Sequence, residues 1–193
     1  MSGILNTLQS DSGTVGHEGG RLEFLGTAVA NSNTTSLEVV WTDTSHQMYL
    51  VVGQELKVVS LYAGLRFRLG DTNGVDSGSS DYSSIASQNS AASSTTSEIS
   101  RNESLSGIGL ATRGMRSTAA YGLNFTAWVA KGDGTRNNQV TGTSSYTEHT
   151  GVLAGGHLVG MRKTAITVDR VAVVATSGNM PNGRLTVWGL RYE

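Results

Sequence analysis

The chain has 193 residues, enough for one large domain that hides roughly 70% of the surface its unfolded form exposes. Only 15% of its residues are charged and the formal net charge is −1, so no positive field is available to gather nucleic acid by neutralising phosphates. There is no cysteine, which removes disulfides and thiolate metal sites, and the 25 glycines among abundant Ser, Thr and Asn favour short strands and many turns over a helical bundle.

Residues 1–20 read as an extended arm. Leu5, Leu8 and Val15 are spaced among polar residues, a pattern suited to lying along a neighbour and ordering on contact. The first twelve residues lack the positive start and the apolar run of about 7–15 residues that a secretory signal needs. Nowhere does an apolar run approach about 18 residues, so neither export by that route nor membrane insertion is expected. The sequons at Asn33, Asn102 and Asn124 are then accidental.

From residue 21 onward apolar side chains recur at every second position. The alternation predicts strands over Arg21–Gly26, Leu37–Trp41, Met48–Val59, Leu65–Leu69, Tyr121–Val129, Gln139–Ser145, Gly151–Met161, Ile166–Ala175 and Arg184–Leu190, about nine in all. It is cleanest at Leu65, Phe67 and Leu69, and at Tyr121, Leu123, Phe125, Ala127 and Val129. The expected fold is an all-β, antiparallel β-sandwich of jelly-roll type formed by residues 21–193.

Between Ser77 and Ser104, 12 of 28 residues are Ser, with Tyr82, Ile85 and Ile99 as the large apolar groups. Alone this composition reads as a linker, and a short helix near Ala86 to Ser97 stays open; within one sandwich it reads as a long surface excursion over 77–104. Further on, Lys131-Gly132-Asp133-Gly134 reads as a hairpin turn, and Gly155-Gly156 permits close backbone approach to a bulge partner or another subunit. Near the end, the strand Ile166–Ala175 and the strand after Gly183 are expected to form a closing hairpin around Ser177–Gly183. In that turn Asn182-Gly183 tolerates positive φ, and Pro181, the single proline, presets its own φ. The last strand, ending at Tyr192, is expected to be tied into the sheet.

No residue set completes a chemistry. His17, His46, His149 and His157 are scattered without a metal-ligand spacing and read as loop or surface residues. Asp71-Thr72-Asn73-Gly74-Val75-Asp76 opens like a calcium loop, but Asp76 stands where the turn glycine belongs and Tyr82 where the bidentate Glu belongs; a turn is the better reading, with Asp81 as an irregular extra ligand. Gly107, Gly109 and Gly114 miss the phosphate-binding spacing because position 112 is Thr. No nucleophile elbow occurs, and Glu38, Asp43, Glu98 and Glu103 form no carboxylate pair recognisable by sequence. Trp41, Trp128 and Trp188 would suit a carbohydrate-stacking platform, but each lies beside aliphatics, so core packing is expected for at least two.

The closing segment carries a resemblance. An alternating strand, Ile166–Ala175, runs into Ser177-Gly178-Asn179-Met180, then Gly183, Leu185-Thr186-Val187 and Trp188-Gly189-Leu190. This order resembles the ends of short virion proteins and tail fibres of tailed bacteriophages. Weaker likenesses lie at Phe24-Leu25-Gly26 and Tyr49-Leu50-Val51-Val52. Trp188 stands where that family is expected to carry Tyr, and the Ser-rich middle departs from it. The resemblance implies a β-sandwich carried on a phage particle and no catalytic residues.

The sequence therefore leads to a non-catalytic structural protein of a tailed-phage virion, decorating the capsid or forming part of a tail or fibre on the outer surface after synthesis in the host cytoplasm. Its partners would be its own copies, a trimer among the candidates, and other virion proteins, through the 1–20 arm and many weak contacts. The alternative is a receptor- or carbohydrate-binding module at a fibre tip, with Trp or Tyr stacking on host glycan. A polysaccharide hydrolase would need a cleft with two carboxylates. No catalytic, cofactor-binding or metal residue is assigned, and no cofactor is expected.

Overall fold

The structure, a computed structural model, describes residues 20–31, 34–91, 97–111, 114–117, 122–132 and 134–191; the arm up to residue 19 lies outside them. The alternation becomes strands β1 (Arg21–Val29), β2 (Ser36–Val40), β3 (Met48–Leu56), β4 (Leu65–Asp71), β5 (Gly74–Val75), β6 (Tyr82–Ser90), β7 (Ser97–Leu105), β8 (Ile108–Gly109), β9 (Leu123–Ala130), β10 (Gln139–Thr147), β11 (Leu153–Arg162), β12 (Arg170–Ala175) and β13 (Arg184–Arg191). Every pairing is antiparallel. One sheet has eight strands in the order β1-β13-β3-β9-β10-β11-β6-β7, and the other has five, β2-β12-β4-β5 with β8 also on β4. The chain is thus an all-β, jelly-roll-like sandwich, with more strands than the nine read from the sequence and, among the described residues, no helix.

The two inner faces meet in one apolar core that includes Leu37, Val39, Leu65, Phe67, Leu69, Val171 and Val173 from the smaller sheet and Tyr49, Val51, Phe125, Val129, Leu158 and Val187 from the larger. Each such side chain contributes about 1.5–3 kcal/mol by leaving water. Phe67 on β4 meets Phe125 on β9 edge to face, with centroids 5.9 Å apart, and so couples the two layers.

The Ser-rich stretch does not leave the sheet. It supplies β6 and β7, which pair with each other and extend the larger sheet beyond β11; strand also replaces the helix left open near Ala86, with residues 92–96 outside the described set. The inward residues of β6 are Tyr82, Ser84, Ala86, Gln88 and Ser90, all buried. Gln88 and Tyr82 are hydrogen-bonded across the core. Gln88 Nε2 donates to Leu110 O and to Ser144 Oγ, each at 3.2 Å, and Tyr146 Oη donates to Gln88 Oε1 at 2.8 Å. Tyr82 Oη accepts from Leu69 N at 2.9 Å and lies 3.0 Å from Leu69 O and 3.2 Å from Asp76 O. A layer of small and hydrogen-bonded residues thus replaces aliphatics over this part of the sandwich.

The expected closing hairpin is not one. β12 lies in the smaller sheet between β2 and β4, whereas β13 lies in the larger between β1 and β3. The segment between them crosses from sheet to sheet, and its apolar residue explains why. Met180 is fully buried and its N–H donates to Thr34 O at 2.6 Å. On either side, Val59 N donates to Asn179 O and Lys57 N to Asn182 O, both at 3.0 Å. Gly183, at φ +140°, makes the final turn into β13 in a conformation other residues avoid. Ile166 and Val168, expected in a strand, are buried in the loop before β12. β13 ends at Arg191, and Tyr192 lies outside the described residues.

Gly155 and Gly156 mark no bulge; the close approach they permit is to the two neighbouring strands. β11 runs in unbroken register between β10 and β6, and a methyl group at these glycines would strike the carbonyls of Ser144 and Ser87 on those neighbours. The β9–β10 hairpin at residues 131–138 matches expectation, with Asp133 outside the described residues.

Candidate functional site

A sheet face turned to solvent usually carries polar side chains, opposite an apolar inner face. The outer face of the eight-stranded sheet departs from that rule. Register aligns Phe24 on β1 with Trp188 on β13, Leu50 on β3, Trp128 on β9, Thr141 on β10, Val159 on β11 and Ile85 on β6. This row runs across the strands. Phe24 is 63% exposed, Ile85 51% and Val159 48%, while both tryptophans and Leu50 are half-buried. Phe24 meets the Trp188 ring edge to face at 6.4 Å. Of the three tryptophans only Trp41 is core, stacked on Tyr49 at 4.7 Å; the expectation of core packing for at least two does not hold.

The next row along the strands is rich in hydroxyls. It aligns Thr27, Thr186, Val52, Thr126, Thr143, His157 and Ser87. Thr27 and Thr186 hold each other, Oγ1 to Oγ1, at 3.2 Å. A shallow groove beside Trp128 is lined by Thr126, Thr141, Thr143, His157 and Val159. Neither row, from β1 to β6, contains Asp, Glu, Lys or Arg. Such a surface offers aromatic and aliphatic contact area edged by neutral donors and acceptors, and it presents no acid, base or nucleophile set.

One cluster of possible metal ligands forms among the described residues, and sequence spacing gave no sign of it. Glu23 from β1, Asp43 and His46 each place one ligand atom within 4.8 Å of the others. His46 is buried; its Nε2 lies 2.9 Å from Glu23 Oε2 and its Nδ1 3.2 Å from Asp43 O. Arg191 already supplies a cation here, 3.4 Å from Glu23 Oε2 and paired with Asp43 Oδ2. The arrangement is an internal ion-pair knot that pins the β2–β3 loop to the ends of β1 and β13. The His46 hydrogen bond, with Arg191, holds the Glu23 carboxyl below its ordinary value. Hydrogen bonds from the Ser45 hydroxyl and backbone N–H, helped by Arg191, lower Asp43 to about 2.

The remaining candidates do not assemble. Asp71 to Asp76 forms the β4–β5 turn, in which Asp71 Oδ1 accepts from Asn73 N at 2.8 Å. Asp76 pairs with Arg162, and Asp81 Oδ2 accepts from Gly78 N at 2.6 Å, so these carboxylates serve separate partners. Gly109 lies in β8 and Gly107 just before it, packed on β4. Glu38 on β2 faces Arg170 at 3.3 Å, while Glu98 and Glu103 belong to β7 in the other sheet, their side chains outside the described residues. His149 stacks on Tyr62 at 4.6 Å, His157 joins the hydroxyl row, and His17 lies outside the described residues.

No family model matches the sequence, and no curated protein matches it. Solved structures with similar folds include the galectin LEC-6 of Caenorhabditis elegans, at 9% identity and a TM-score of 0.35, covering 86% of this chain and 96% of that one. Another is a GH43 glycoside hydrolase engineered to show endo-xylanase and exo-arabinofuranosidase activity, at 8% identity and a TM-score of 0.34, covering 92% of this chain and 35% of that one. Neither lends this chain an activity.

Proposed function

We propose that the chain is a non-catalytic binding module of a tailed-bacteriophage particle, and that its ligand is a neutral carbohydrate held on the outer face of the eight-stranded sheet. The observation that carries this reading is the alignment of Trp188 and Trp128 in one row beside the row of threonines. Sugar rings have apolar C–H faces and hydroxyl edges, which pair with indole faces and with Thr hydroxyls in turn. The phage setting rests on the resemblance of Ile166–Leu190, whose residues build the crossover between the sheets.

A second surface favours an assembly role alongside binding. Val59, Leu61 and Tyr62 are all exposed, and Tyr62 holds a left-handed φ of +65° at the turn closed by Ala63 N to Ser60 O. A bulky residue in that conformation costs about 1–3 kcal/mol, and the strain presents an apolar knob suited to docking on another virion protein. The test is a glycan array probed with the purified protein and its W128A and W188A variants, together with mass spectrometry of purified particles. Retention of neutral glycans that the variants lose supports the reading. A silent array refutes the ligand, and absence from particles refutes the setting.

A further inference from the structure

Building on the carbohydrate reading, we propose that the ligand is an extended, neutral, β-1,4-linked polysaccharide lying across the strands, with alternate sugar rings over Trp188 and Trp128. The spacing argues for it. β3 alone separates β13 from β9, so the two tryptophans stand two strand steps apart, about 9.6 Å at about 4.8 Å per step. A β-1,4-linked chain of pyranoses is a flat ribbon that turns over at each ring and so repeats every second ring, and two rings span a length comparable to the two strand steps between the indoles. Rings n and n+2 then present the same face to the two indoles, with ring n+1 over Leu50. An α-1,4-linked chain coils and leaves the platform after one contact.

The rest of the face fits the same occupant. Phe24 extends the row one step beyond Trp188, and Val159 and Ile85 extend it beyond Thr141, so several consecutive rings find contact. The hydroxyl row lies two residues along the strands from β13 to β6, about 7 Å away, and three along β1 across its bulge, within reach of the ribbon's hydroxyl edge. From β1 to β6 neither row offers a cation for a uronate or sulfate group or an anion for an amino sugar, and Arg101 stands only at the far end, on β7 beyond Ile85, so the tryptophan platform itself favours a neutral chain. Because both indoles are half-buried, their positions are largely fixed before binding, which lowers the entropy lost on association.

The test is isothermal titration of the full chain with cellohexaose, maltohexaose and hexagalacturonate. Cellohexaose is expected to bind at least tenfold more tightly than either other sugar. W128A and W188A are each expected to weaken it about tenfold, and T143V to weaken it several-fold. W128F keeps a ring and the fold, and is expected to fall between the parent and W128A, with an unchanged circular dichroism spectrum. Equal affinity for cellohexaose and maltohexaose, or full affinity in both tryptophan variants, overturns the inference while a positive glycan array keeps the broader carbohydrate reading standing. Silence with all three sugars and on the array overturns both.

Discussion

Removing one oxygen atom, in Tyr82→Phe, tests whether the Ser-rich strands are anchored as the structure describes. Tyr82 is fully buried, and its hydroxyl accepts from Leu69 N and sits within hydrogen-bond distance of Leu69 O and Asp76 O. Burial pushes its phenol well above the ordinary range, so the hydroxyl stays protonated and remains a donor at any workable pH. In the variant, Leu69 O keeps Asp76 N, but Leu69 N–H loses its acceptor inside the core. A buried donor left without a partner costs about 1–3 kcal/mol, and the lost donated bond adds about 1 kcal/mol, so a loss of about 2–4 kcal/mol is expected. Urea unfolding followed by tryptophan fluorescence measures it, with the parent's m-value retained. A change below about 0.5 kcal/mol, typical of surface substitutions, would show that Tyr82 does not tie β6 to β4.

Met180→Ala separates a crossover from a hairpin: the buried side chain predicts a loss of about 2–5 kcal/mol in the same assay, whereas an exposed turn residue would cost under about 0.5 kcal/mol. Gly156→Ala should destabilise by about 1–3 kcal/mol because the methyl meets the Ser87 carbonyl across the β11–β6 ladder; a neutral result would place β6 elsewhere. Glu23 and Asp43 titrate below their ordinary values of 4.5 and 3.8, so their ionised forms stabilise the fold. That contribution is complete above about pH 5 and is lost as pH falls through the folded values, toward about 2 for Asp43. The urea midpoint of the double variant E23Q/D43N should therefore fall less between pH 5 and pH 2 than the parent's, and parallel curves would contradict the assignment.

The strands were legible because alternation is a local property: Leu65, Phe67 and Leu69 point inward as their spacing says. What joins to what was not. A connection of eight residues between β12 and β13 permits either a hairpin or a crossing, and the signal that decides it is Met180, an apolar residue too costly to leave in an exposed turn. In β6 the alternation is present but written in Ser, Ala and Gln, which hides it from any count of hydrophobic residues. The outward tryptophans could have been found by phase. Trp128 falls between the inward positions of its own strand, Phe125, Ala127 and Val129, and Trp188 is out of step with Leu185 and Val187. The Glu23, Asp43 and His46 knot had no local signature, since pairing of β1 with β13 is what brings Glu23 and Arg191 together.

A ligand held on the outer face of the larger sheet would touch two of the three tryptophans and spare the third. The three indole N–H resonances of Trp41, Trp128 and Trp188 in a 15N-correlated NMR spectrum, followed while cellohexaose is added, test this directly. The Trp128 and Trp188 signals are expected to move together with saturation while the buried Trp41 signal stays in place. Three stationary signals, or a shift confined to Trp41, would contradict it.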